Sequence, residues 1–390
     1  MLTCAISIAD DFRALQIFLI PLIVLSFSSL MTFFCQKIIR DNSPQKPRVR
    51  KPHIYEFDLL RAFCALGIAA FHYSFDLKTG YRPFYTIMGM GWGDLFVTIF
   101  FLLSGASLIY NYPEIRSIKE LKVFYAKRFL GLMPAYYLAF CWYYVSHSAP
   151  GRNYFYGGSL KKILLTLVGM DGYFYQVEPN YYQVGEWFTG MIIMLYLAYP
   201  LLLLALKKIR TTVAAWIILL VLYGLMLNLH GSPIATWNNP ALCLIPFFLG
   251  MNLIRFQFYG TRNFRIAGVL LFIQIVIVKK VQLPFQPYIA EHFFAFALFV
   301  LLSWLGTYVM KVPGLSALIS AIGSVSYGIF LVQHKVADKV ALTLEPASTS
   351  ENLAFLFLAF LVIIVEAALL TYAQKKYTAF FKKLSVCTVR

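Results

Sequence analysis

The stretch DLLRAFCALGIAAFH, residues 58–72, combines a lipid-like apolar character with three ionisable side chains. Asp58 and Arg61 lie at one end of it, and His72 lies at the other. Polar groups inside a membrane span are energetically costly, so they are functional candidates by default. Whether the stretch belongs in a membrane depends on the sequence around it.

The composition of the whole chain is that of a membrane protein. Of its 390 residues 60% are hydrophobic and only 13% are charged, and the mean hydropathy is +0.70. A water-soluble protein of this size needs a much larger charged surface. Apolar runs of about twenty residues, enough to cross roughly 30 Å of hydrocarbon, recur from end to end. We therefore predict an all-α fold, a polytopic transmembrane helix bundle with short loops.

The predicted bundle has about ten core spans plus an extra N-terminal anchor. We divide the chain into an N-terminal membrane anchor helix (1–36), a basic cytoplasmic linker (37–53) and a multi-span membrane domain (54–390). The tyrosine-rich segment 148–185 is interpreted as an external cap with an interfacial helix, not as a further span. The core spans are predicted at 59–78, 88–110, 129–147, 186–206, 211–229, 240–258, 264–280, 289–311, 313–333 and 352–373.

The net charge of +17 is explained by topology and not by nucleic-acid binding. Most Lys and Arg residues fall between apolar runs, where positive charge marks the cytoplasmic side. This rule places the N-terminus outside and the C-terminus in the cytoplasm. The six cysteines are scattered without metal-type spacing, so we expect no metal site.

Helix geometry relates the ionisable groups of the opening stretch. Arg61 and His72 are eleven positions apart, which leaves a net rotation of about 20° and an axial separation of about 16 Å, so they share one face. Asp58 lies one turn before Arg61 and can pair with it. Asp76 lies one turn beyond His72 and could orient its ring.

This arrangement suits a long anionic substrate with a reactive end. A neutral imidazole in a low-dielectric cavity is a suitable general base, and an arginine at the aqueous mouth suits an anionic ligand. Acyl-coenzyme A has that shape. A competing hypothesis is a proton-coupled secondary transporter of a glycan, lipid or organic anion, with His72 and Asp76 as the relay. A third is a non-catalytic membrane receptor or assembly subunit.

Five sequence blocks, in order, resemble the acyltransferase 3 family of integral-membrane O-acyltransferases. They are Asp58 and Arg61 followed after ten residues by His72, FFLLSG (100–105), YAKRFLGLMPAYY (125–137), WFTGMIIMLYLAYP (187–200) and SYGIFLVQH (326–334). The resemblance implies transfer of an acyl group, usually acetyl, from acyl-CoA to a hydroxyl of a cell-surface polysaccharide, lipopolysaccharide or lipid-linked saccharide. It also implies the bacterial inner (plasma) membrane as the location. Gly131 stands where the family has a second arginine.

The expected site has three parts. The catalytic residues are His72 and Asp76, and the donor-binding residues are Asp58, Arg61, Ser104, Lys127 and Arg128. Glu186 and Trp187 are assigned to the acceptor side, while Ser104–Gly105 could instead serve close helix packing. His334 is expected to be structural. We expect no bound cofactor, with acyl-CoA, a saccharide or glycolipid acceptor and membrane lipids as partners, and no nucleic acid.

Overall fold

The computed structural model describes most of the chain as helix. The described residues are 2–43, 51–77, 82–87, 90–146, 159–175, 177–184, 187–228, 238–280, 287–344 and 348–387. Within them the only strands form one short antiparallel hairpin, in which Thr86 pairs with Gly91 and Ile87 with Met90. The predicted all-α bundle is confirmed.

The elements follow one another along the chain without long excursions. In order they are α1 (Leu2–Asn42), α2 (Glu56–Asp76), β1 (Thr86–Ile87), β2 (Met90–Gly91), α3 (Trp92–Asn111), α4 (Ile118–Ser146), α5 (Ile163–Leu167), α6 (Asp171–Phe174), α7 (Trp187–Ala205), α8 (Ile209–Leu227), α9 (Pro240–Arg255), α10 (Arg262–Lys280), α11 (Pro287–Val309), α12 (Pro313–Ser324), α13 (Ser326–Leu344) and α14 (Thr349–Cys387).

Six of the described helices are long and apolar enough to cross a membrane: α1, α3, α7, α8, α11 and α14. The bent pair of α12 and α13 makes up to seven. Much of the apolar surface of α8 and α14 is exposed, as expected of helices that face lipid. The chain is thus a multi-pass membrane protein. Helices α2, α4, α9 and α10 coincide with predicted spans but are shorter or more polar, so the count of eleven spans stays a prediction.

The predicted single span at 313–333 is wrong, because two helices occupy it. Helices α12 and α13 meet at a bend of 70°. The bend lies beside Gly323, where an added Cβ would stand 2.7 Å from the backbone oxygen of Asp58. Helix α13 also continues from the predicted end at 333 to Leu344, since Ala337 and Ala341 extend its buried face.

Two predicted boundaries differ because helix continues into basic segments. Helix α1 passes the predicted boundary at residue 36 and ends at Asn42, before the first proline of the linker. Helix α4 begins at Ile118, so much of the basic stretch 116–128 forms its first turns. The Ser117 hydroxyl accepts a hydrogen bond from the Glu120 backbone N–H at 3.2 Å and caps that start.

The segment around 160–174 is not a membrane span. It forms a turn of 3-10 helix (Leu160–Lys162), the five-residue helix α5 and the four-residue helix α6. Gly169, between the two α-helices, has a φ of +70°, a left-handed conformation that suits glycine. Pieces this short cannot cross the hydrocarbon core. An interfacial position for the segment stays a prediction.

Internal contacts divide the chain into two units. The first comprises Met1–Pro47, Arg116–Ile193 and Ala368–Arg390, and the second comprises Arg48–Ile115 and Met194–Ala367. In the first unit α1 packs along α4, and the end of α14 joins α1 through Tyr377, whose hydroxyl lies 2.9 Å from that of Ser29. In the second unit α2 packs against α3, α11, α12 and α13, and α3 packs against α9.

The crossing of α3 and α9 depends on two glycines that face each other's helix. A Cβ added to Gly105 would stand 1.9 Å from the backbone oxygen of Phe247. One added to Gly250 would stand 1.9 Å from that of Leu102. The backbones therefore touch, as small residues allow in membrane helices. For Gly105 this favours the packing role over a ligand role.

We expect Gly105→Ala to lower the free energy of unfolding by about 1–3 kcal/mol, because the new methyl group must push two helix backbones apart. Thermal unfolding of the detergent-solubilised protein measures the effect. Gly224→Ala is the matched control, since an added Cβ at that helix position meets nothing within 4 Å. The control should be neutral or slightly stabilising; equal losses in the two variants would contradict the packing role.

Candidate functional site

A buried carboxylate organises the N-terminal end of α2. Asp58 Oδ1 accepts a hydrogen bond from Arg61 Nη1 at 3.0 Å, so the predicted pairing is present. Asp58 Oδ2 lies 2.7 Å from Nε2 of His53 and accepts from the Ser320 hydroxyl at 3.1 Å. Asp58 is only 8% exposed. One carboxylate thus holds the arginine, the segment before α2, and helix α12.

Arg61 also contacts the neighbouring helix α3. Its Nη2 donates to the Ser107 hydroxyl at 3.2 Å, so two partners fix the guanidinium plane. Sequence reasoning selected Ser104 for the donor site and missed Ser107, which lies one turn further along the same helix. A search for serines at helical spacing from Ser104 would have found it. The donor-binding role of Ser104 stays a prediction.

A pair of histidine rings lies toward the other end of α2. The ring centroids of His72 and His334 are 5.0 Å apart, and the planes meet at 76°. His72 is buried and His334 is half-buried. His334 was expected to be structural, but the extension of α13 carries it through the described helix to the candidate base. Two imidazoles in contact can both serve a proton transfer.

An aromatic wall lies beside His72. The Phe71 ring stacks on that of Tyr85 at 5.7 Å and meets His72 edge-on at 5.2 Å. The Phe84 backbone N–H donates to the Ser74 hydroxyl at 3.2 Å, which ties the hairpin segment to the end of α2. The wall limits the directions from which water or a substrate can approach the imidazole.

The remaining predicted catalytic and acceptor residues are only partly visible. Asp76 is the last residue of α2, and its side chain lies outside the described part of the chain. Glu186 also lies outside the described residues. Trp187 is the first residue of α7 and is buried. Roles for all three stay predictions.

Lys127 and Arg128 lie on α4 in the first unit, whereas Asp58, Arg61 and His72 belong to the second. Lys127 is exposed, and the guanidinium carbon of Arg128 stands 5.9 Å from the centroid of the Phe124 ring. Their proposed contribution to donor binding stays a prediction.

A further buried carboxylate joins two helices of the second unit. The Thr98 hydroxyl donates to Glu291 Oε1 at 2.9 Å, and Glu291 is 6% exposed. Asp94 precedes Thr98 by one turn on α3 and acts electrostatically on the same carboxyl. Across the described ranges, no three His, Cys, Asp or Glu side chains form a group that could hold a metal ion.

The first unit contains a buried acid that sequence reasoning missed. Asp171, 1% exposed, accepts hydrogen bonds from the Tyr136 hydroxyl and, at 2.9 Å, from the Gly172 backbone N–H. Asn180 Nδ2 donates to the Asp171 backbone oxygen at 2.9 Å and secures the following loop. Burial raises the pKa of Asp171 to about 6, although the hydrogen bonds oppose the shift.

Comparison with protein families matches residues 54–371 to the acyltransferase domain of the acyltransferase 3 family. The matched region begins just before α2 and runs into α14, so it takes in both the paired arginine and the paired histidines. Neither a curated protein nor a solved structure matches the chain.

Asp171 makes stability depend on pH. Its folded-state pKa of about 6 exceeds the unfolded value of 3.8, so the folded state binds the proton more tightly and loses stability as pH rises from about 4 to above 6. The loss amounts to about 3 kcal/mol. Between pH 4.5 and 7.5 the melting temperature of Asp171→Asn should therefore rise relative to that of the wild type.

Tyr136→Phe provides the matched comparison for this prediction. The variant lacks the hydroxyl that stabilises the carboxylate, so its loss of stability should be larger and extend to higher pH. A melting-temperature difference between Asp171→Asn and wild type that does not change with pH would contradict the assignment.

Proposed function

The chain belongs to the acyltransferase 3 family, and from this premise we propose that it transfers an acetyl group from acetyl-coenzyme A to a hydroxyl of a cell-surface saccharide. The acceptor is a polysaccharide, a lipopolysaccharide or a lipid-linked saccharide. One observation carries the proposal: a single helix, α2, holds a fixed arginine near one end and a pair of imidazoles toward the other. The chemistry of a long, phosphorylated thioester matches that polarity.

Arg61 is the proposed contact for the donor. The guanidinium has five N–H donors, and Asp58 and Ser107 engage only part of them. Since Asp58 compensates its charge, Arg61 is better suited to oriented hydrogen bonds with a phosphate or pantetheine oxygen than to long-range attraction. Asp58 acts as a positioning residue in this account, holding the fork in one plane.

His72 is the proposed general base. The imidazole takes the proton from the acceptor hydroxyl while the hydroxyl oxygen attacks the thioester carbon. His334, in ring contact with His72, stabilises the imidazolium or passes the proton onward. The separation of about 16 Å between Arg61 and His72 leaves room for an extended pantetheine arm between the anionic end and the thioester.

The acceptor enters from the side opposite the donor in this proposal. Glu186 and Trp187 remain our candidates there, because an aromatic face suits a sugar ring and a carboxylate suits its hydroxyl groups. The proposed location is the bacterial inner membrane, with the N-terminus outside and the C-terminus in the cytoplasm. The distribution of loop charges supports this orientation.

Removal of the proposed base should abolish most of the transfer. With purified protein, radiolabelled acetyl-coenzyme A and bacterial lipopolysaccharide or lipid-linked saccharide fractions, His72→Ala should lower kcat by roughly 10²- to 10⁴-fold. His292→Gln is the matched control, because His292 also lies in a span but contacts the backbone oxygens of Tyr288 and Leu242. The control should keep its kcat per folded molecule.

Two results would contradict the proposed function. Full transfer by His72→Ala would remove the base, and substrate uptake into liposomes without any acetyl transfer by the wild type would point to transport.

Removal of the donor contact should weaken binding and leave the chemistry in place. We expect Arg61→Ala to raise the Kd for acetyl-coenzyme A by roughly 10- to 100-fold, the effect of losing hydrogen bonds to a charged group. Isothermal titration of detergent-purified protein measures this. Arg265→Ala is the control, since Arg265 is exposed and donates only to the backbone oxygen of Gly260. An unchanged Kd for Arg61→Ala would remove the assigned role.

A further inference from the structure

Gln333 carries a buried amide that the fold leaves unused. Its side chain is 0% exposed, and neither Oε1 nor Nε2 has a hydrogen-bond partner among the residues that the structure describes. An amide removed from water without compensating hydrogen bonds costs about 1–3 kcal/mol by protein mutational data and more in an apolar medium. Such a group is maintained in a membrane helix only at a free-energy cost.

The position of Gln333 directs the amide toward the candidate base. Ile329, Gln333, Ala337 and Ala341 follow one another at four-residue intervals and form the buried stripe of α13. Helix α13 packs mainly against α2, so this stripe is the face that meets α2. The next residue, His334, makes the ring contact with His72. Consecutive Cα atoms are 3.8 Å apart, so the amide begins within one residue of the histidine pair.

A purely structural explanation does not account for the residue. A packing role would be met better by a methionine or leucine of similar volume, which has no hydrogen bonds to lose. The partnered amides of this protein show the contrast. Gln374, for example, donates to the backbone oxygens of Leu130 and Gly131 at 3.0 and 3.3 Å.

We propose that Gln333 is a catalytic residue whose side-chain N–H donates a hydrogen bond to the thioester carbonyl oxygen and to the oxyanion that forms there. The inference rests on the proposed acetyl transfer and adds a residue to it. An amide N–H aimed at a developing oxyanion is an established kind of transition-state stabilisation.

The reaction balances with these groups alone. His72 accepts the proton of the acceptor hydroxyl, the hydroxyl oxygen forms a bond to the carbonyl carbon, and the carbonyl π electrons move to the oxygen that Gln333 binds. Collapse of this intermediate restores the C=O bond and breaks the C–S bond. The leaving thiolate takes the proton from the imidazolium, so the products are the acetyl ester and coenzyme A thiol.

The test compares catalysis with stability in Gln333→Met, which removes the donor at similar volume. With the acetyl-coenzyme A and saccharide fractions described above, kcat should fall by roughly 100-fold or more. The KM for acetyl-coenzyme A should change little, because the bond is strongest in the transition state. The melting temperature should equal or exceed that of the wild type, since no hydrogen bond of the resting protein is lost.

Gln374→Met is the matched control, because it removes a partnered amide from a helix outside the candidate site. It should lower the melting temperature and keep its kcat per folded molecule. For Gln333→Met, an unchanged kcat would overturn the inference, and so would a lowered melting temperature, which would reveal a structural partner. Failure of the proposed function is a separate result, since it requires that the wild type itself transfers no acetyl group.

Discussion

The buried carboxylate of Asp58 is the interaction on which the arrangement of the second unit depends. A charge removed from water is tolerated only when close partners compensate it. Arg61, His53 and Ser320 provide these partners at 3.0, 2.7 and 3.1 Å. They come from α2 itself, from the segment before it and from α12, so meeting the needs of one carboxylate brings three parts of the chain together.

The same contact determines where the histidines meet. Gly323 lies against the Asp58 backbone, and directly after it the chain bends by 70° from α12 into α13. The bend lets α13 return along α2, and this path places His334 against His72. The anionic end of the site and its reactive end are therefore coupled through one helix pair, although about 16 Å separates Arg61 from His72 along the axis.

Much of this could be predicted from local pattern. Apolar run length identified the helices, and helical periodicity placed Asp58 beside Arg61 and both on the face of His72. What escaped prediction depends on contacts between distant segments. Nothing in the local sequence of α13 indicates that His334 meets His72, because that contact follows from a bend that forms only when Gly323 packs against α2. Ser107 was missed for a similar reason, since its partner Arg61 lies on another helix.

The polar groups of α2 and α13 differ in how far the resting protein satisfies them, and the difference separates structural from chemical roles. Asp58 is fully compensated, as a group must be if its task is to hold helices and orient an arginine. The Gln333 amide is buried without a partner among the described residues, which lowers stability and serves no packing purpose. A group held in this state can give its full hydrogen-bond energy to a charge that develops during the reaction, because no earlier partner has to be displaced. A helix that carries both kinds of group therefore has its binding end stabilised in advance and its reactive end left ready for the transition state.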